Sequence, residues 1–413
     1  RGTNYLGGVV AVRAADWMAL PNSGRYASAY RLALRSSALI GAASLHYVDH
    51  VLSHAAPQLA VHQEAEEFAA AQEELQRLHP GTQLTASNKL GCWAVQYPDP
   101  RTALSLLIPT GKQQGYLRSL LKSCIRYYPA GTFEEALLLV QDEDLQSMQQ
   151  FMKHWPHADK LPLRLVTTGS GAHNHARSIN LGLHAAHTEL VVVCDDDIEW
   201  LDDQALPALR RLFTQKSVAL AAPRLVLQQD KSPLVVAGPH VVGEGALLQN
   251  YVGERQGLAE RGYLNRLQMA QDVAGVHGSC WMARRSAVLA AGALDEISTP
   301  TFQPVTDLGY RLQQSGWRLV WTPQANALHA GGMTLNALRR DPAHALALSQ
   351  AAMAEARHMR NRWLSFAGQH PLYSKHLSGS QPYALDMHLV NRWSQDYRAR
   401  PRVLAQPLSS GSG

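Results

Sequence analysis

The sequence has little that could organise it other than a hydrophobic core. Its 413 residues include only four cysteines, Cys92, Cys124, Cys194 and Cys280. No two of them form a Cys-x-x-Cys pair. That argues against a paired-cysteine zinc site and a disulfide framework, and it fits a reducing compartment. No apolar run approaches the length of about 20 residues that a membrane helix needs. Dense blocks of Lys or Arg are also missing: 38 basic residues against 33 acidic ones leave a formal charge of +5. This balance is weak ground for nucleic-acid binding. It suits an anionic substrate or an anionic membrane surface equally well. Hydrophobic residues make up 46% of the chain and charged ones 17%, enough apolar material for more than one core.

What is present is a stretch around which the rest is arranged. Leu190 to Cys194 is short and apolar and runs directly into Asp195, Asp196 and Asp197. Such a bounded run reads as a buried parallel strand, and its carboxyl end is where open α/β sheets place ligands. Three adjacent carboxylates repel one another unless a cation neutralises them. A divalent ion with hard oxygen ligands, Mg²⁺ or Mn²⁺, carrying a phosphate-bearing substrate would do so. A solvated acidic turn ahead of a helix explains the same residues.

Around this stretch, strands alternate with helices. Strands are expected at 105–110, 135–140, 163–166 and 218–223. Helices are expected at 114–127, up to Gln149, at 176–186 and at 207–214. The alternation predicts a doubly wound, mostly parallel sheet. Past Pro233 the pieces become shorter, with strands expected at 276–284 and 317–323 and helices at 286–290 and 307–314. A long amphipathic packing helix is expected at 342–366, carrying Arg357, Arg360 and Arg362. Residues 58–78 predict a solvated linker helix with Glu64, Glu66, Glu67, Glu73 and Glu74 on its outer face.

Taken in order, several motifs carry a resemblance. They are the strand ending in Pro109-Thr110, the segment Asn174 to Gly182 and the acidic strand end Glu189 to Glu199. Gly262 to Arg285, Leu294-Asp295-Glu296 and Asp307 to His329 complete the set. Together they resemble family 2 glycosyltransferases with the GT-A nucleotide-diphospho-sugar fold, and among these the multi-module bacterial enzymes of cell-surface polysaccharide assembly. The resemblance implies an α/β fold with a doubly wound mixed sheet, a partial preceding module and a helical C-terminal extension. Residues 1–56 would be the C-terminal fragment of a preceding GT-A-like module and 57–100 a helical linker. Residues 101–335 would be the glycosyltransferase domain, 336–393 a helical extension, and 394–413 a linker or the start of a further domain. The start at Arg1 and the end at Ser409 to Gly413 read as cuts through something longer.

The resemblance also implies a chemistry. A divalent metal, Mn or Mg, would be held by Asp195, Asp197 and His329, with Glu199 nearby. The nucleotide-diphospho-sugar donor would lie over Pro109, Thr110, Asn174, Arg177, Asp195, Asp196, Gly278 and Ser279, close to His173. Inverting transfer to a saccharide or lipid-linked acceptor needs a general base. The family position for that base is Val305, which cannot take a proton, so the role is expected at Asp307. The acid that contacts the nucleotide base appears as Gln141, next to Asp142. These departures set a second reading beside the first: a catalytically silent module that binds saccharide or nucleotide, or scaffolds a larger assembly. The expected place is cytoplasmic, peripheral on the inner membrane face, beside other transferase modules and without nucleic acid.

Overall fold

The computed structural model describes residues 34–35, 64–86, 93–111, 114–229, 232–250, 256–330, 342–373 and 377–384. The reading of 1–56 as part of a preceding module falls outside these residues apart from Leu34 and Arg35. The reading of 394–413 falls outside them entirely.

Helix α1 (Glu64–Leu78) leads into a hairpin of β1 (Gln83–Ala86) and β2 (Trp93–Gln96). The expected helical linker therefore also contains strands. Leu84 and Trp93 bury themselves against Ala71 of α1. Glu74, expected on the solvated face, is instead buried at 5% exposure. It pairs with Arg35 at 3.2 Å and with Arg77. A buried carboxylate persists only when paired in this way.

The main body follows in chain order. β3 (Leu104–Pro109), α2 (Gln114–Tyr127), β4 (Phe133–Val140), α3 (Leu145–Lys153), β5 (Leu163–Thr167), α4 (His175–Ala185) and β6 (Leu190–Cys194) form the parallel part. β7 (Ile198–Trp200), α5 (Ala205–Leu212) and β8 (Val218–Gln229) come next. A run of short strands follows: β9 (Ser232–Ala237), β10 (His240–Val242), β11 (Leu248–Asn250), β12 (Gln256–Gly257) and β13 (Gln271–Asp272). β14 (Cys280–Arg284), α6 (Arg285–Ala290), α7 (Pro304–Gln314), β15 (Arg318–His329) and α8 (Pro342–Gly368) complete the body. The large sheet has the order β12-β9-β8-β14-β6-β3-β4-β5, with β15 alongside β8. β14 runs antiparallel to both neighbours, so the sheet is mixed.

The central strands are largely apolar because both faces of the sheet are covered. Side chains alternate across a strand. Leu106, Leu138 and Val192 enter one core cluster with residues of α2, α3 and α5. Leu107, Leu139 and Val193 enter another with residues of α4, α6 and α7. In α8, Met359, Trp363 and Ala367 follow the i, i+4, i+8 spacing of one helix face and pack with Tyr310 of α7. The long helix is thus a packing element, as expected from its pattern.

Candidate active site

Strand order brings four segments to one edge of the sheet. β3 and β6 are parallel, with Leu107 opposite Val193, so Thr110 and the three aspartates emerge side by side. β14 runs the other way, with Cys280 opposite Cys194, which places Gly278 and Ser279 beyond the same end of β6. β15 ends at His329, opposite Ile198 of β7.

The side chains converge accordingly. Asp195, Asp197 and His329 each offer a ligand atom, and these atoms lie within 4.8 Å of one another. His329 Nε2 is 3.4 Å from Asp197 Oδ1. That nitrogen is buried and makes no hydrogen bond, an arrangement costly for a protein atom left alone. Two carboxylate oxygens and an imidazole nitrogen around a shared point form a donor set that fits a divalent ion. The Asp195 backbone N–H donates to the Ser279 carbonyl at 2.8 Å, and the Asp197 carbonyl accepts from Ala330 at 3.1 Å. These bonds fix the turn from which the carboxylates project. Thr110 Oγ1 donates to Asp196 Oδ2 at 2.7 Å, tying the end of β3 to that turn.

Burial pushes the Asp195 carboxyl up to about 6. Ser279 and His329 pull it down, and Asp197 pushes it further up. Burial likewise raises Asp196 to about 6, against the hydrogen bond from Thr110. Carboxylates held this high are ones a bound cation would relieve.

Comparison with known proteins then bears on the chain. Residues 105–290 match the model of the family described as "Glycosyl transferase family 2". Over that span the chain is similar to family 2 glycosyl transferases. The matched span holds most of the mixed α/β sheet, and the long helix α8 follows it at the carboxyl side. Thr110, the three aspartates and Ser279 lie within the matched span, and His329 lies beyond it. A curated relative is "Uncharacterized protein y4gI" of Sinorhizobium fredii (strain NBRC 101917 / NGR234). It is 24% identical over 230 residues, covering 55% of this chain and 24% of that protein. The chain thus spans about a quarter of that relative's length. Among solved structures, GalNAc-T7 with UDP, GalNAc and Mn²⁺ has a TM-score of 0.46 at 14% identity, covering 58% of this chain and 45% of that one. The mannosyltransferase PcManGT from Pyrobaculum calidifontis, in complex with GDP-Man and Mn²⁺, has a TM-score of 0.40 at 14% identity, covering 74% and 83%. Neither score reaches 0.5.

Several expected site residues of the glycosyltransferase domain do not join the cluster. Asp307 is fully buried on α7, and both carboxylate oxygens are committed. Oδ2 accepts from Arg311 Nε at 2.7 Å and Oδ1 from Trp363 Nε1 at 2.8 Å, with Arg362 at 3.4 Å. This is a structural ion pair, and the expected base role is corrected on that ground. Asn174 caps α4, accepting from the Arg177 backbone N–H at 2.9 Å and donating to the Glu296 carbonyl at 2.9 Å. Arg177 itself reaches Glu296 at 3.4 Å, so its charge is shared with a carboxylate. Gln141 donates to the Gly171 carbonyl at 2.9 Å, which holds the loop beside His173. Val305 lies next to Gly278: a Cβ built on the glycine would sit 3.8 Å from Val305 Cγ2.

Three participants escaped the sequence reading. Glu355 of α8 accepts from the backbone N–H groups of Thr301, Phe302 and Gln303 at 2.8–3.0 Å. Trp363 holds Asp307 from 56 residues away. His277 stands beside His329, with ring centroids 5.6 Å apart. Only His277 had a local signal, its place two residues before Ser279.

Proposed function

We propose that the domain is an inverting glycosyltransferase. It moves a sugar from a nucleotide-diphospho-sugar onto a saccharide or lipid-linked acceptor, in the assembly of a cell-surface polysaccharide. The observation that carries this reading is the cluster of Asp195, Asp197 and His329 at the carboxyl edge of a glycosyltransferase sheet. These three residues would hold a divalent ion, and the imidazole nitrogen among the ligands favours Mn²⁺ over the all-oxygen preference of Mg²⁺. When bound, the ion supplies Lewis-acid neutralisation of the departing diphosphate. The chain supplies the positioning. Ser279 orients Asp195, Thr110 restrains Asp196, and β15 delivers His329. No helix among the described residues is long and apolar enough to cross a membrane. Peripheral attachment and neighbouring transferase modules belong to the same proposal.

Calorimetry with UDP or GDP in the presence of Mn²⁺ tests this reading. Asp197→Ala is expected to weaken nucleoside diphosphate binding at least about tenfold, a loss of about 1.4 kcal/mol. Unchanged affinity would remove the metal site from consideration.

A second reading has its own observation. Val305 stands where the resemblance places the base, and Asp307 is sequestered in an ion pair. Both features suit a module that binds a nucleotide sugar without turning it over. A screen of nucleotide sugars for hydrolysis or transfer separates the two. Turnover supports the enzyme, whereas binding without turnover supports the silent module.

A further inference from the structure

His277 sits beside the cluster but is not one of its ligands. Its ring meets His329 edge-on at 67° and lies 5.9 Å from His240. The backbone N–H of Ser279 donates to His277 Nδ1 at 3.2 Å. An imidazole nitrogen that accepts a hydrogen bond carries no proton, so the single proton of this ring is on Nε2. The other nitrogen is accounted for in turn. No described side chain or carbonyl hydrogen-bonds Nε2, and it is not among the buried polar atoms left without a partner. Nε2 therefore keeps a small accessible area without a partner among the described residues, while the ring around it is largely buried.

This tautomer decides what the ring can do. Ligating a metal through Nε2 would send the proton to Nδ1, where it would face the Ser279 N–H, donor against donor. Acting as a base through Nε2 is blocked for the same reason. What remains is donation. We propose that the His277 Nε2–H is a fixed hydrogen-bond donor to an anionic oxygen of the diphosphate of a nucleotide bound at the Asp195–Asp197–His329 cluster. The inference rests on the nucleotide-sugar reading above and adds a binding residue to it. The surroundings explain the usefulness of such a donor. The turn at 195–197 offers only carboxylates, which would repel a diphosphate except through a cation. Hydrogen bonds to charged oxygens are stronger than neutral ones. The donor is placed by the strand end itself, because Ser279 both orients Asp195 and locks His277.

The test compares the unaltered chain with His277→Phe and His277→Asn by calorimetry. The titrants are Mn²⁺ alone, then UDP, GDP and inorganic pyrophosphate, each with excess Mn²⁺. Phe keeps a ring against His329 and His240 but has no N–H. Asn keeps an N–H and an acceptor on a shorter side chain. Phe is expected to weaken both nucleotides and pyrophosphate by about tenfold or more, with Mn²⁺ affinity unchanged within about twofold. Asn is expected to recover part of the loss. If Phe binds the nucleotides as the unaltered chain does, the proposal falls and the nucleotide-sugar reading stands. If Phe loses affinity for Mn²⁺ alone, His277 is a metal ligand and the proposal falls. Weakened UDP and GDP with unchanged pyrophosphate would place the contact on base or ribose, which also overturns it. Failure of the unaltered chain to bind either nucleotide with Mn²⁺ overturns the underlying reading and, with it, the ligand named here.

Discussion

Replacing Asp307 by Asn separates a structural carboxylate from a catalytic one. Asp307 has no exposure, its two oxygens accept from Arg311 and Trp363, and Arg362 pairs with it at 3.4 Å. The guanidinium of Arg311 is itself locked, donating to the carbonyls of Ala291 and Ala293. Asn has nearly the same shape, but one of its two polar atoms is a donor. Whichever way the amide turns, its NH₂ faces either the Arg311 N–H or the Trp363 N–H. The guanidinium also loses its buried counter-charge. Breaking one side of a buried pair costs about 3–5 kcal/mol. In a domain of this size each kcal/mol moves the melting temperature by about 2–4 °C, so a fall of roughly 10 °C is expected. Scanning calorimetry or dye-binding melts read it directly. A general base behaves differently: its removal lowers kcat by about 10²–10⁴-fold and leaves folding intact. An unchanged melting temperature with lost turnover of a nucleotide sugar would refute the structural assignment.

Two further outcomes follow from α8 and its surroundings. Burial pushes the Glu355 carboxyl above its ordinary range while three backbone N–H groups pull it back. Both Glu355 oxygens accept from backbone N–H groups, so the amide of Glu355→Gln keeps one acceptor and turns its NH₂ on at least one donor; it is expected to cost about 1–2 kcal/mol, whereas Glu355→Ala abandons the whole loop at 301–303 and is expected to cost about 2–4 kcal/mol in urea unfolding; equal effects would sink this account. Burial lowers His370 to about 4, and its ring packs on Phe366 and bonds Gln313 at 3.0 Å. Below about 6.5 the unfolded chain takes up this proton and the folded chain does not. Stability is therefore expected to fall as pH drops from about 6.5 toward 4, by up to about 3 kcal/mol from this group, and His370→Phe should flatten that slope in denaturation curves at pH 7.5 and 5.

The core strands were legible in the sequence because burial on both faces leaves apolar runs, as in Leu106 to Ile108 and Leu190 to Cys194. Strand ends were less legible. β8 and β15 each run to 12 residues, past Pro223 and Pro323, where prolines suggested a stop. Pro223 pairs with Thr322, and the register between the two strands shifts between Thr322 and Asn326. An irregularity of that kind is where a sheet tolerates proline. Asp195 and Asp197 were legible because alternate residues of a strand end share a direction, whereas His329 came from the resemblance alone, since its strand was expected to stop at Pro323. The pairing of Arg177, and the second bond of the capping residue Asn174, were not legible, since both reach Glu296, more than a hundred residues away. Helical spacing also placed Glu74 outward, because the arginine that buries it, Arg35, comes from another segment.

The contrast between Val305 and Asp307 turns on helix geometry. Two residues on an α-helix stand about 200° apart. Val305 meets Gly278 on the side of the sheet edge, so Asp307 must face the other way, where Arg311 and Trp363 bind it. Letting Asp307 take over the position of Val305 would mean rotating α7 by more than half a turn. That rotation would carry Val305 into the ion pair and strip Arg311 of its partner. Three elements resist it: the Glu355 grip on the residues just before the helix, the Asp307 pairing, and Tyr310 packed against α8. A register shift within this fold is therefore excluded by the cost of the contacts it would break. The side of the site that meets Gly278 is apolar at Val305. Whatever acceptor the domain takes must be activated by something other than Asp307.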